Sequence, residues 1–400
     1  MSKHLWSVLF LAAIAPGCTM IEEGTGDGDG DGDGGGKTCT TARLFAGDPG
    51  WRSDIDRSMW NPAGQPARAT PPLIAMNLAV HGNQLAISTQ ESIWLTDTSA
   101  ASPTFKRIAG VDDLRPSQYQ PAGACASVRT MAGSGLAYLP DGRLVAGDGW
   151  GNGVIELSDP SSSSCQAKPI AGTQIAIDST DLMSDQIYEQ GDVDGPGAQA
   201  RFRRPQQPTA DDAGNVYVWD QSNYKIKKIA TDAARTVSVV ADLTDTEPTM
   251  HAMTVLDGKL YAVGNDGGGD VVLEVDLAGG AARRVLEGRP WDVAPGSAGI
   301  PVGVTTDGRD LIVLLYQGYI YRVTTGGEMT LIAGAGRPRG SHFPDEIDLD
   351  QPVPADQLPL YVASQTQGGG YIGWNAGHLY VPADYPSGAG WAIWDVSCPM

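Results

Sequence analysis

The chain has 400 residues, a net charge of −20 and an isoelectric point near 4.5. A polyanion of this size is repelled by nucleic-acid phosphates and by anionic lipid, so neither is an expected partner; the same acidity also serves plain solubility. Gly (52) and Pro (27) make up about a fifth of the residues. Short runs of Val, Ile, Leu, Tyr and Trp alternate with these turn formers, the pattern of many strands with tight connections and of an all-β chain.

Residues 1–17 read as an export signal. Lys3 supplies a short positive region, and Leu5 to Ala15 form an apolar stretch of about eleven residues, too short for a stable transmembrane helix. Ala15-Pro16-Gly17 before Cys18 resembles the lipobox of bacterial lipoproteins. That resemblance implies cleavage before Cys18 and a diacylglycerol on its sulfur. Thr19 at the next position implies sorting to the outer membrane of the cell envelope. The competing reading is an ordinary secretory signal with an incidental cysteine. No other apolar run reaches eighteen residues, so lipid is the only membrane attachment expected.

Residues 18–38 read as a tether. Gly26 to Gly36 (GDGDGDGDGGG) cannot bury apolar surface, and its carboxylates repel one another. Alternating Asp and Gly also suggests a calcium loop, but an EF-hand loop starting at Asp27 needs Glu at its twelfth position, where Thr38 stands. An acidic spacer is the favoured reading. No cofactor is expected; calcium is the one cation considered.

From residue 39 the sequence repeats. Six segments join a turn to an apolar strand, with core positions Leu85, Leu144, Val216, Leu260, Leu311 and Leu379 spaced 44 to 72 residues apart. A further strand follows each, for example Gly153-Val-Ile-Glu-Leu and Val271-Val-Leu-Glu-Val. Five trailing strands then end in a small motif, such as Arg107-Ile-Ala-Gly, Pro169-Ile-Ala-Gly and Leu331-Ile-Ala-Gly. The sixth copy of that motif, Arg43-Leu-Phe-Ala-Gly, stands at the other end of the chain. This predicts a six-bladed β-propeller of four-stranded antiparallel blades, closed by an N-terminal strand that completes the last blade and removes an exposed edge. A seventh blade hidden in 111–134 is the alternative. Inner strands are expected around Leu73–Val80, Gly135–Pro140, Gln206–Asp211, His251–Leu256, Pro301–Thr306 and Leu358–Ala363. The surplus chain falls between blades, at 48–72, 111–134, 173–205 and 335–357. Such connections share one face and can build a binding surface without disturbing the sheets.

The run Gly191 to Ile229 resembles an NHL repeat. It carries the DGxGxxARFxxP lead-in, the D-x-x-G-N-V-Y-V strand and the D-x-x-N-x-x-I-x-K-I return. Gln65 to Ser88 and Val353 to Asp384 are weaker echoes, and the resemblance extends over a domain of residues 39–398. It implies a six-bladed propeller related in fold to gluconolactonase-like and peptide-amidating-lyase propellers.

Removing Cys18 leaves four cysteines in a disulfide-permissive compartment. Cys398 ends the third strand of the last blade and Cys39 opens its fourth, so a Cys39–Cys398 bond is expected to lock the ring. Cys125 and Cys165 both belong to the second blade but lie in connections on opposite faces. Their pairing requires the 111–134 insertion to wrap down the rim; otherwise both are free thiols.

Asp148, Asp220, Asp266 and Asp384 fall at or just after the ends of second strands, on the face of the inter-blade insertions. A ring of carboxylates suits a cation or a basic partner; the competing reading is that each accepts backbone N–H groups in the loop that follows it. Zinc catalysis of the amidating-lyase kind needs about three converging ligands. Of His81, His251, His342 and His378, only His251 is placed to reach the channel mouth. The inner strands offer Asn77, Gln206 and Gln207, a thin set for a calcium lactonase, and no G-x-S-x-G elbow occurs. Among ten Trp residues, Trp51, Trp60, Trp150 and Trp291 lie in loops, where indole rings bind sugars or peptides by stacking and apolar contact, or simply cap the sheets. The expectation is a monomeric, lipid-anchored module that binds a protein or glycan. The alternative is a hydrolase or lyase with a metal in the central channel.

Overall fold

The computed structural model describes residues 38–47, 67, 77–89, 92–110, 119–129, 134–149, 151–172, 190–286, 299–336, 348, 350–360, 362, 372–384 and 391–399. Six antiparallel sheets account for every named strand. Blade 1 runs through Asn77–His81, Gln84–Ser88, Ser92–Asp97 and Lys106–Gly110. Blade 2 has Leu136–Tyr138, Leu144–Asp148, Gly153–Ser158 and Gln166–Ala171. Blade 3 has Pro205–Ala210, Val216–Asp220, Lys225–Ile229 and Val237–Asp242. Blade 4 has Thr249–Leu256, Lys259–Asn265, Asp270–Asp276 and Ala282–Arg284. Blade 5 has Pro301–Thr306, Leu311–Leu315, Ile320–Val323 and Met329–Ala333. Blade 6 has Gly373–Asn375, His378–Asp384 and Trp391–Ser397, with Thr41–Ala46 from the start of the chain as its fourth strand. The inner strands pack in order, each against the next and that of blade 6 against that of blade 1, which closes the ring.

The second strands are apolar without alternation: Leu144–Asp148, Val216–Asp220 and Leu311–Leu315 are buried at every position. A strand in the middle of a blade has a neighbouring blade on both faces, so neither face is left for polar side chains. The fourth strands meet solvent and alternate more, as in the exposed–buried pattern of Thr41–Ala46. The Ala-Gly that ends the trailing strands has a geometric cause. In blades 1, 2, 5 and 6 the ladder between third and fourth strands slips by one residue just before the Ala. The Gly that follows adopts φ +87°, +91°, +91° and +107° at Gly110, Gly172, Gly334 and Gly47. A Cβ at Gly172 or Gly334 would run into the carbonyl oxygen of Asn152 or Gly318, so only glycine suits this bulge and turn.

Blade 6 is where the two ends of the domain meet. Arg43 lies opposite Asp395 and Leu44 opposite Trp394. Thr40 N–H donates to the Ser397 carbonyl at 2.8 Å. Cys39 and Cys398 are disulfide-bonded, with Cα atoms 3.9 Å apart. Cys125 and Cys165 are bonded as well. The insertion before blade 2 descends along the rim, where Gly123–Ala124 pairs with Gln166–Ala171 as a fifth strand and Cys125 N–H donates to the Cys165 carbonyl. Among the described residues of 111–134, Gly123–Ala124 adds an edge to blade 2, and the described strands form six sheets rather than seven.

One inner strand differs from expectation. Blade 6 begins at Gly373–Asn375, not around Leu358–Ala363. Val353–Pro354 instead pairs outside Thr41–Ala46, and the chain then enters the gap between blades 5 and 6, where Ala355, Leu358 and Leu360 are fully buried. The apolar run marked an inter-blade plug, whereas the true inner strand, Gly-Trp-Asn, has too few apolar residues to stand out.

The closure disulfide cross-links a loop of 359 residues. The chain-entropy relation puts its stabilisation at about 6 kcal/mol as an upper figure. A C39S/C398S variant is expected to keep the strand content of the parent by far-UV circular dichroism. Its urea midpoint should fall to one that added reductant no longer lowers through this bond. An unchanged midpoint would show that blade 6 pairing alone holds the ring shut.

Candidate functional site

The second-to-third strand loops share an edge of the ring with the connections between blades, and three of the four expected carboxylates are placed there with described side chains. Asp148 is fully buried; it accepts the Tyr119 hydroxyl at 2.7 Å and the Gly151 N–H at 2.7 Å. Asp220, also fully buried, accepts the Arg203 N–H at 2.6 Å and the Asn223 amide at 2.7 Å. Asp266 receives a bidentate Arg284 guanidinium at 2.6 and 2.9 Å and the Gly268 N–H at 3.1 Å. Asp148 and Asp266 each accept a backbone N–H of the loop that follows, whereas Asp220 meets only the Asn223 side chain there and takes its backbone N–H from Arg203 in the preceding connection. Asp148 and Asp220 do more than cap their own loops, because Tyr119 and Arg203 belong to the chain arriving from the previous blade. Each carboxylate staples the base of a connection to the blade it enters. Asp384 ends the second strand of blade 6, at the equivalent position, and its side chain lies outside the described residues, as do Cys18, Trp51, Trp60, Trp150 and Trp291.

Asp220 belongs to a larger buried charge set. The Lys227 side chain is wholly enclosed, 5.3 Å from the Phe202 ring centre. Its ammonium lies 2.7 Å from Asp192, 3.4 Å from Asp194 and 3.4 Å from Asp220, and donates to the Arg201 carbonyl at 3.2 Å. The Gly-Asp-Val-Asp-Gly lead-in thus folds over the third strand of its own blade as an oxygen cage with an ammonium inside. Burial lifts the Asp220 carboxyl to about 6, against the pull of its hydrogen bonds and of Lys227. Burial also acts to raise Asp192, but the hydrogen bonds from Lys225 and Lys227 outweigh it and hold that carboxyl below the usual range.

His251 is buried on the inner strand of blade 4, in the residue by which that strand slips against its neighbour. Its ring has no hydrogen-bond partner among the described residues, and burial lowers its proton affinity, leaving a neutral imidazole at pH 7. His378 lies at the opposite edge and contacts Asp395 at 2.7 Å. His81 ends the inner strand of blade 1, with its ring centre 5.4 Å from that of Tyr138. Gln207 donates to the Met250 carbonyl at 2.7 Å, and Asn77 to the Ser88 hydroxyl at 3.2 Å. No three His, Cys, Asp or Glu side chains are grouped for a metal among the described residues.

A second ionic pattern was not anticipated. In blades 2, 4 and 6 the third strand carries an acid within an apolar run, Glu156, Glu274 and Asp395. Each faces a cation directly across the ladder, Lys168, Arg283 and Arg43. Each also contacts the residue that opens the second strand or just precedes it, Arg143, Lys259 and His378. The signal was present in Val-Ile-Glu-Leu, Val-Leu-Glu-Val and Ile-Trp-Asp-Val, where an acid interrupts a strand at one fixed place in the repeat.

Breaking a buried ion pair from one side costs about 3–5 kcal/mol. Lys227→Met should destabilise the fold by that order at pH 8 and by less at pH 5. A carboxyl whose folded pKa is raised favours folding most while protonated, and that contribution is lost as pH rises through the folded value. With Lys227 gone, Asp220 takes a proton at pH 5 but is an unpaired anion at pH 8. Urea midpoints at the two pH values read the difference; an equal loss at both would mean that Asp220 is not the group left unpaired.

No protein-family model matches the sequence, and no curated protein matches it. Solved structures do resemble the fold. A protein of unknown function from Bacteroides thetaiotaomicron superposes with a TM-score of 0.54 at 11% identity, over 91% of this chain and 77% of that one. Virginiamycin B lyase from Staphylococcus aureus gives 0.44 at 12% identity, over 82% and 95%. A luciferin-regenerating enzyme gives 0.47 at 14% identity, over 82% and 92%. The likeness is one of fold: the chain is an all-β, six-bladed propeller.

Proposed function

We propose that this chain is a non-enzymatic, NHL-like propeller, lipid-anchored through Cys18 in the outer membrane, that binds a protein through the face bearing its inter-blade connections. The observation that carries the binding reading is the use made of the carboxylates on that face. Asp148 and Asp220 hold the roots of the connections to the blades, and Asp266 is occupied by Arg284. Groups engaged in this way serve to brace loops rather than to ligate a metal or move protons. A rigid ring with braced loop bases presents variable chain at low entropic cost, which favours recognition. The Ala15-Pro16-Gly17-Cys18 motif supports the anchor, and the acidic residues that follow support a spacer between membrane and ring. The Gly191–Ile229 run supports the NHL assignment.

Two measurements test this reading. Cys18→Ala is expected to move the protein from the membrane to the soluble fraction after a high-salt wash; retention would count against lipidation. Envelope cross-linking should capture a protein partner with the native chain, and capture should be lost when 173–189 is replaced by a Gly-Ser segment of equal length. Stoichiometric bound calcium or zinc whose chelation lowers the melting temperature would favour the propeller-enzyme alternative.

A further inference from the structure

The ring has two edges, and the chain enters it at one of them. Thr41–Ala46 spans blade 6 from edge to edge. Beyond its far end, Gly47 N–H donates to the Ala67 carbonyl, in the connection that leads to blade 1. Before its start, Thr40 N–H donates to the Ser397 carbonyl and Cys39 is bonded to Cys398. Cys398 N–H in turn donates at 2.7 Å to the carbonyl of Gly377, in the first-to-second strand turn of the blade. The entry point thus lies on the edge of those turns, opposite the inter-blade connections. A sheet, a disulfide and backbone hydrogen bonds all pin it there.

We propose that the membrane lies on the entry side of the ring, so that the connection-bearing face points away from the bilayer and receives a water-soluble protein rather than lipid. The anchor is the one at Cys18 proposed above, on which this orientation rests. Residues 19–38 join Cys18 to Cys39, so the bilayer is tied to the edge at which the chain enters. Turning the other face to the membrane would draw that spacer along the whole depth of a blade, roughly 20 Å for a six-residue strand.

Charge on the entry edge acts alongside the covalent link. Asp97, Asp212, Asp257, Asp276 and Glu328 are exposed in its turns and make no ion pair among the described residues. The cations nearby are committed to acids of the strands, Arg143 and Arg235 to Glu156 and Lys259 to Glu274. Such an edge is repelled by anionic lipid, as are the carboxylates of the Gly26–Gly36 run. Screening confines the repulsion to about 8 Å, so it sets a stand-off and does not turn the ring over. The link decides which edge is nearer the bilayer, and the like charge keeps that edge from settling on the headgroups.

The test is energy transfer from the ring to a lipid-linked dye, using full-length lipidated protein on vesicles of phosphatidylethanolamine and phosphatidylglycerol. The four ring cysteines are disulfide-bonded and Cys18 carries lipid, so one introduced cysteine takes the donor dye. Ala278→Cys places it in the third-to-fourth strand turn of blade 4, on the entry edge. Thr246→Cys places it in the connection between blades 3 and 4. Both positions are exposed. Vesicle-bound protein should transfer about twice as efficiently from the Ala278→Cys dye, which lies roughly 20 Å nearer the bilayer. Equal transfer from the two dyes, or more from Thr246→Cys, would overturn the orientation while leaving the anchor in place. Lipidated protein that fails to float with the vesicles would remove the anchor, and the orientation with it.

Discussion

The pairing of Thr41–Ala46 with Trp391–Ser397 is the interaction on which the rest of the molecule depends. Each blade covers the faces of its neighbours, so an open ring would expose an apolar face on both sides of the gap. The second strands are buried over most of their described length because no such gap exists. Building the last blade from both ends of the chain makes its sheet hydrogen bonds the closure itself. The disulfide next to that pairing removes the option of local opening, and Cys39 N–H reaches further, to the Ile332 carbonyl in blade 5. The loss of one small strand would therefore be felt all round the ring.

Charge is handled in two ways on this frame. At the edge bearing the inter-blade connections, buried carboxylates act as fasteners: Asp148 and Asp220 bind the arriving chain, and Lys227 sits among three acids as an internal counter-ion. Toward the opposite edge, acids on alternate third strands draw together cations from the strands on either side. Both arrangements place ionised groups where the ladder supplies several partners at once, the condition under which a buried charge is tolerated. Blade 2 departs from blades 4 and 6 by adding a cation from outside its own sheet.

Most of the fold was legible because it depends on repetition. The Ala-Gly endings of 46–47, 109–110, 171–172 and 333–334 mark a bulge and a positive-φ turn that each of those blades needs, and a repeated backbone need leaves a repeated residue. The displaced copy at residues 43–47 revealed the closure and, with it, the Cys39–Cys398 pair. The inner strand of blade 6 was misplaced because burial does not distinguish a strand from a plug: Leu358 and Leu360 are as enclosed as any core strand, yet they fill the gap beside blade 5. The bond between Cys125 and Cys165 stayed open for a related reason, since the path of an insertion depends on which sheet edge it finds unpaired.

The sequence by itself determined the number of blades, the strand that closes the ring and the cysteines that lock it, since all three follow from periodic residues whose neighbours are set by the repeat. It also determined where the candidate carboxylates stand along the chain. Only the tertiary structure decided what those carboxylates do, because their partners, Tyr119, Arg203 and Arg284, lie outside the loops that the acids begin. It alone brought Arg235 to Glu156, 79 positions away and on another sheet. Contacts within a repeat recur and can be read from the chain, whereas contacts between blades depend on how the sheets stack.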